Sequence, residues 1–290
     1  LPVCDGSLAA RGFGYRGVNW GRADWSGRLT TEELHLRPLL LRRDSRELRL
    51  EGQLETGDFA DRDRLDVRVT TPSWPLEDFA TALKWDVQVS GLAQIAAAIS
   101  GRRSAALGEA QATCPRGAAH GLPFQQLEAR LKLAGRTVEV ASLQARLGDG
   151  GVTFHGTVTD DETYDGLIAV RNVDLARLTE SHPQWMQWSG RVSGDLVVQG
   201  TLARPIVEGR LQSPSTAWAG APLGPTTLIL RGDAQPTVGL ALACRGAALD
   251  ASMEGRVATL PPFTADLRLA LRDTALSPVL TRFHPQLLRG

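Results

Sequence analysis

Aromatic residues are scarce, at 6% of 290, and neither charge sign is in excess: 32 Lys and Arg balance 32 Asp and Glu. A nucleic-acid binder shows a basic excess, and a single-strand binder needs aromatic platforms for its bases. Neither is present, so no nucleic-acid partner is expected. Cysteine is equally rare. Cys4, Cys114 and Cys244 are odd in number and far apart, giving neither a disulfide framework nor the paired spacing of a zinc site. The longest apolar runs, such as Gly91–Ile99 and Val238–Cys244, are strand-sized and fall short of the roughly 18 residues that span a bilayer. Leu1 opens no signal pattern, so any anchor or targeting segment is expected outside these residues.

What the chain has in abundance is alternation. In Val192–Gln212, Leu196, Val198 and Leu202 share one parity, while Asp195, Gln199 and Thr201 mostly take the other. Successive strand side chains point to opposite faces, so this pattern gives one apolar and one wet face. The reading is a hairpin turning at Arg204-Pro205, with Val207 and Leu211 on the return strand against Glu208 and Arg210. Leu34 and Leu36, Leu48 and Leu50, and Leu65, Val67 and Val69 alternate with charged or polar residues in the same way. Pro72–Leu83 interrupts the pattern, and Ser73 or Pro75 reads as the start of a short helix with Glu77 and Asp78 in its first turn, where carboxylates suit the dipole. Residues 1–27 read as strands with no legible ends.

The pattern repeats. Val89-Ser90-Gly91 matches Val192-Ser193-Gly194, which sets Ile95 and Ile99 on Val198 and Leu202. On that ground Leu92–Ile99, helical by composition, is read as a strand, because a weak local preference yields to tertiary context. Thr153–Val158 matches Ser252–Val257, and Thr163–Leu178 runs ungapped along Thr264–Val279. A unit of about 100 residues thus recurs, the signature of an array. The expected units are 1–91, 92–194 and 195–290, the last cut mid-unit so that the chain reads as a piece of something longer.

The expected fold is all-β with few short helices: an elongated, curled, mostly antiparallel repetitive sheet forming a trough, taco-like or solenoid-like. Its inner face is expected to carry Ile95, Ile99, Leu131, Leu133, Val138, Val140, Leu196, Val198, Leu202, Val207, Leu211, Leu228, Leu230, Leu240, Leu242, Leu267, Leu269 and Leu271. That face either closes as a core or stays open as an apolar trough of the kind that marks ligand and partner sites. Periodicity is the same for both.

Catalytic signatures are missing, so no enzyme activity, cofactor or metal is expected. Gly12-Phe13-Gly14 lacks the strand-then-helix setting and third glycine of a dinucleotide fingerprint. Gly148-Asp149-Gly150-Gly151 reads as a hairpin loop. His182-Pro183-Gln184 and His284-Pro285-Gln286 have no neighbouring ligand set, and the prolines read as helix stops. Asp160-Asp161-Glu162 and Asp61-Arg62-Asp63 lack calcium-loop spacing and read as solvated turns. Arg42-Arg43 and Arg102-Arg103 are too thin a patch for headgroups and read as loop charges. Trp74, Trp85, Trp185, Trp188 and Trp218 read as packing near segment boundaries.

The string Gly194-x-Leu196-x-Val198-x-Gly200-Thr201-Leu202-x-x-Pro205-x-Val207-x-Gly209 resembles the recurring unit of the TamB family, the translocation and assembly module of the Gram-negative envelope, within the AsmA-like group. Gly151–Val158 and Pro262–Leu280 share its style, and the resemblance extends over residues 28–290. It implies a periplasmic, inner-membrane-anchored, envelope-spanning protein with a hydrophobic β-groove. Phospholipid acyl chains would be its cargo, and an outer-membrane barrel partner and the anchor would both engage regions outside these residues. A closed scaffold for protein translocation and assembly is the second reading. A carbohydrate-active solenoid would need carboxylates and aromatics clustered on one face, and the sequence shows no such cluster.

Overall fold

The computed structural model describes residues 3–30, 32–55, 64–84, 87–102, 105–159, 163–180, 188–201, 204–218, 220–232, 237–246, 250–258 and 264–272. Its 17 strands form an open antiparallel sheet, accompanied by two short helices. The chain divides into two compact units, Leu1–Arg146 with His155–Asp161, and Leu147–Phe154 with Glu162–Gly290.

The first unit opens with β1 (Cys4–Tyr15), β2 (Val18–Leu29), β3 (Glu33–Arg43), β4 (Arg46–Glu55) and β5 (Arg64–Pro75). Helix α1 (Leu76–Leu83) follows, then β6 (Val89–Arg102), β7 (Leu107–Ala119), β8 (Leu122–Ala134) and β9 (Thr137–Leu147). Each strand is registered antiparallel with its sequence neighbours. Strand β10 (Gly150–Thr159) contributes residues to both units and begins after the Gly148-Asp149 turn, Gly148 supplying φ 64°. The second unit continues with β11 (Thr163–Asp174), α2 (Leu175–Glu180), β12 (Trp188–Thr201), β13 (Arg204–Trp218), β14 (Ala221–Gly232), β15 (Thr237–Arg245), β16 (Asp250–Ala258) and β17 (Ala265–Arg272). From β11 onward these too pair in sequence order.

The stretch Leu92–Ile99 is strand, inside β6, as the repeat demanded. Its alternation is strict: Ala93, Ile95, Ala97 and Ile99 face one side half-buried or buried, and their neighbours are exposed. Helix α1 starts after Pro75, carries Glu77 and Asp78 in its first turn and ends on Lys84 in the left-handed conformation.

Two sequence expectations need correction. Arg204 and Pro205 do not form the turn. They open β13, pairing with Thr201 and Gly200; Leu202 lies outside the described residues. The matching of Gly91 to Gly194 is also displaced. Gly91 pairs with Gly117 and Gly190 with Thr216, each at positive φ and each followed by a bulge. The structural equivalent of Gly91 is therefore Gly190, and Ile95 and Ile99 correspond to Gly194 and Val198. A Val-Ser-Gly string occurs one turn of pattern away from the true match, and strand pairing rather than residue identity settles the register.

Hydrophobic burial in the first unit concentrates at one end of the strands. Val18, Trp20, Ala23, Leu41, Leu48 and Trp74 form a buried cluster, with Phe79 and Ala82 of α1 packed over it. Trp74 is 0% exposed. Trp20 and Trp74 stack with ring centroids 5.8 Å apart, although β2 and β5 are three places apart. Flat strands that far apart would be separated by about 14 Å, a gap the two indoles bridge by leaning toward each other, with Phe79 and Ala82 of α1 packed against the cluster.

Candidate functional site: an uncharged apolar face

Strand pairing turns the alternation into continuous rows. In the first unit one row runs through Leu8, Trp25, Leu39, Leu50, Val69, Ala97, Ala110, Leu131 and Val140. The next runs through Leu36, Gly52, Val67, Ile99, Gly108, Leu133 and Val138. In the second unit Ile168, Leu196, Gly209, Leu230, Leu240, Gly255 and Leu267 make one row. Val170, Gly194, Leu211, Leu228, Leu242, Met253 and Leu269 make another. None of these positions carries a charge.

The expected inner residues therefore fall on these faces. Ile95 and Ile99 come from β6, Leu131 and Leu133 from β8, Val138 and Val140 from β9, and Leu196 and Val198 from β12. Val207 and Leu211 come from β13, Leu228 and Leu230 from β14, and Leu240 and Leu242 from β15. Leu267, Leu269 and Leu271 lie on β17. Most are half-buried; Val140 and Val198 are buried, and the three β17 leucines are exposed, Leu269 at 65%. Half-burial over so many leucines and valines is what an apolar face shows when its own neighbours cover each side chain laterally and nothing lies on top. Ala97, Ala110 and Met253 belong to the same rows, and Ala112 and Ala129 continue Ile95 in the adjacent one, yet the sequence pattern does not mark them. Alanine carries too weak an apolar signal to mark a face, and only its register with Leu131 or Ile95 reveals it.

The opposite face is charged and internally compensated. Arg28 on β2 sits directly opposite Asp5 on β1 and donates to both its carboxylate oxygens at 2.9 Å; the guanidinium holds the Asp5 carboxyl below its ordinary range. Arg42 donates to Glu47 at 2.8 Å and to Asp24 at 3.1 Å. Arg171 meets Asp195 at 2.7 Å. Opposed cross-strand charges stabilise pairing modestly and keep that face wet. A hollow of about 430 Å³ in the second unit is lined by the charged Arg231, Glu254, Arg256, Asp266 and Arg268 together with Leu240 and Gly255 of the apolar rows.

At the α1 end, Arg43 is a clamp rather than a loop charge. Its guanidinium lies 5.3 Å over the Trp74 ring, donates to the Asn19 carbonyl at 2.7 Å and pairs with Asp78. The Trp74 indole N–H donates to Asp78 Oδ2 at 2.9 Å. In the second unit Trp188 and Trp218 pack beside Leu223 and Cys244, their ring centroids 6.4 Å apart. Packing is thus the role of these tryptophans. Trp85, Trp185, Arg103, both His-Pro-Gln triplets, Asp160-Asp161-Glu162 and Asp61-Arg62-Asp63 lie outside the described residues.

Among the described residues no group of three or more His, Cys, Asp or Glu is placed to hold a metal ion. No described helix is long and apolar enough to cross a membrane. Comparison with protein-family models, curated proteins and solved structures returned no match.

Proposed function

We propose that this chain is a non-catalytic part of a TamB-like or AsmA-like envelope protein of the Gram-negative periplasm, and that its apolar face shields lipid acyl chains in transit between the two membranes. The observation that carries the reading is the set of uncharged rows whose leucines and valines stay half-buried along successive strands. Each methylene taken from water onto such a face contributes about 0.8 kcal/mol. Rows of equivalent aliphatic positions offer a chain many sites of similar energy, so it slides with little barrier. Support for outer-membrane protein assembly through a barrel partner, and an inner-membrane anchor, are assigned to regions outside these residues.

Native mass spectrometry with lipid extraction, on protein purified from a Gram-negative host, tests the proposal. Co-purifying phospholipid is expected, and Leu230→Asp is expected to lose it with circular dichroism unchanged. Leu230 is the informative position because it is half-buried, whereas Val198 is buried and an aspartate there threatens the fold itself. Lipid-free protein that also rejects added fluorescent phospholipid would overturn acyl-chain shielding and favour a closed scaffold for translocation and assembly.

A further inference from the structure

The compensation of the charged face is incomplete at one place in the second unit. Strand pairing sets Arg231 of β14 opposite Gly239 of β15, Gly239 opposite Arg256 of β16, and Arg256 opposite Asp266 of β17. Residues directly opposite one another share a face, so two arginines flank a residue that has no side chain. One step along the strands, Ala241, Glu254 and Arg268 make the neighbouring row. Each carboxylate thus has an arginine across from it, Arg256 for Asp266 and Arg268 for Glu254. Arg231 has no such counterpart: it faces Gly239, and no described residue forms an ion pair with it. Elsewhere on this face arginines are paired, Arg28 with Asp5 and Arg171 with Asp195.

A hollow takes the place of a salt-bridge ladder here. Its volume is about 430 Å³, and three arginines meet two carboxylates in its lining. The β14 and β16 backbones stand about 9–10 Å apart across Gly239, a gap that two long side chains can close from either side onto one group. The backbone does not dictate this glycine. Gly239 lies outside the positive-φ region, and a Cβ there would stand 3.3 Å from the Arg231 carbonyl oxygen and 3.6 Å from its Cβ. At Gly255, by contrast, a Cβ would stand only 1.9 Å from the Asp266 carbonyl oxygen. What the missing side chain at Gly239 leaves is room between two cations.

We propose that this hollow binds a tetrahedral oxyanion, phosphate or a phosphate ester, over Gly239 between the Arg231 and Arg256 guanidiniums. A guanidinium presents a planar fork of N–H donors that matches two oxygens of such an anion, and forks from opposite sides embrace it. The anion supplies the negative charge that no carboxylate gives Arg231. This inference is independent of the lipid reading.

Titration calorimetry of the whole chain with inorganic phosphate is the test. Saturable binding is expected below about 10 mM, weakening as salt is added. Arg231→Gln and Arg256→Gln are each expected to weaken it about tenfold or more; both residues are exposed, so neither change threatens the sheet. Asp266→Asn is expected to tighten binding, because it removes a like charge beside the anion. Gly239→Val fills the space between the arginines and is expected to abolish binding, with the thermal transition reporting on the fold. Arg171→Gln, on the same face but five strands from β16, is expected to leave binding unchanged. Competition by glycerol 3-phosphate at lower concentration than phosphate assigns the site to phosphate esters, and failure to compete assigns it to the free anion; either upholds the site. Absence of saturation, undiminished binding to Arg231→Gln, or an equal loss in Arg171→Gln would each overturn the proposal.

Discussion

Trp74 shows how much a single residue decides here. The sequence marks it as one aromatic near a segment boundary; in the fold it is the floor of a cluster that joins β2, β3, β4, β5 and α1. Trp74→Ala is expected to cost about 3–5 kcal/mol, the range for a fully buried large aromatic, read as a lower urea midpoint for the first unit. The cysteines diverge in the same way, equal in sequence and unequal in structure. Cys4 is exposed, while Cys114 and Cys244 are buried. Burial raises the Cys114 thiol above its ordinary range, offset in part by a backbone hydrogen bond at Arg116. One fast and two slow thiols are therefore expected when native protein is titrated with a thiol-reactive dye. The sign for stability follows: the unfolded thiol ionises first, near pH 8.5, so Cys114 favours unfolding as pH rises above that value. Three equally fast thiols would contradict the burial.

At the scale of elements, α1 is set by both local and distant causes. The carboxylates of its first turn were legible in the sequence, and of the two starts it offered, Ser73 and Pro75, the helix takes the second, because Ser73 is still in β5. Its docking was not legible, because it depends on Arg43 from β3 and Trp74 from β5 meeting Asp78. Asp78→Ala leaves a half-buried guanidinium unpaired and is expected to destabilise by about 1–3 kcal/mol, with faster hydrogen exchange through Leu76–Leu83. Arg43→Lys is expected to restore little, since an ammonium neither stacks on the indole nor forks between Asn19 and Asp78. Unchanged exchange in α1 would show that apolar packing by Phe79 and Ala82 holds the helix by itself. Strand β6 teaches the complementary lesson. Its alanines favour helix, yet pairing with β5 and β7 holds it extended, and the repeat was the one sequence feature that said so.

At the scale of the whole chain, pairing between sequence neighbours makes the molecule an array, whose stability is a sum of local terms rather than one shared core. Unfolding in urea is expected to be graded, with hydrogen-exchange protection lost segment by segment, and Trp74→Ala is expected to leave the midpoint of Leu228–Leu242 in place. A single coincident transition across all segments would contradict this. The sequence by itself determined the class, the strand character of β6, the short helix and the shared parity of the leucines, isoleucines and valines within each described strand, because these follow from a two-residue period and local chemistry. Only the tertiary structure decided the register: the entry of Arg204 and Pro205 into β13 opposite Thr201 and Gly200, the equivalence of Gly91 with Gly190, and the alanines that belong to the apolar rows. Those depend on which residues of separate strands lie opposite each other, and a period of two is unchanged by any even shift of one strand along its neighbour.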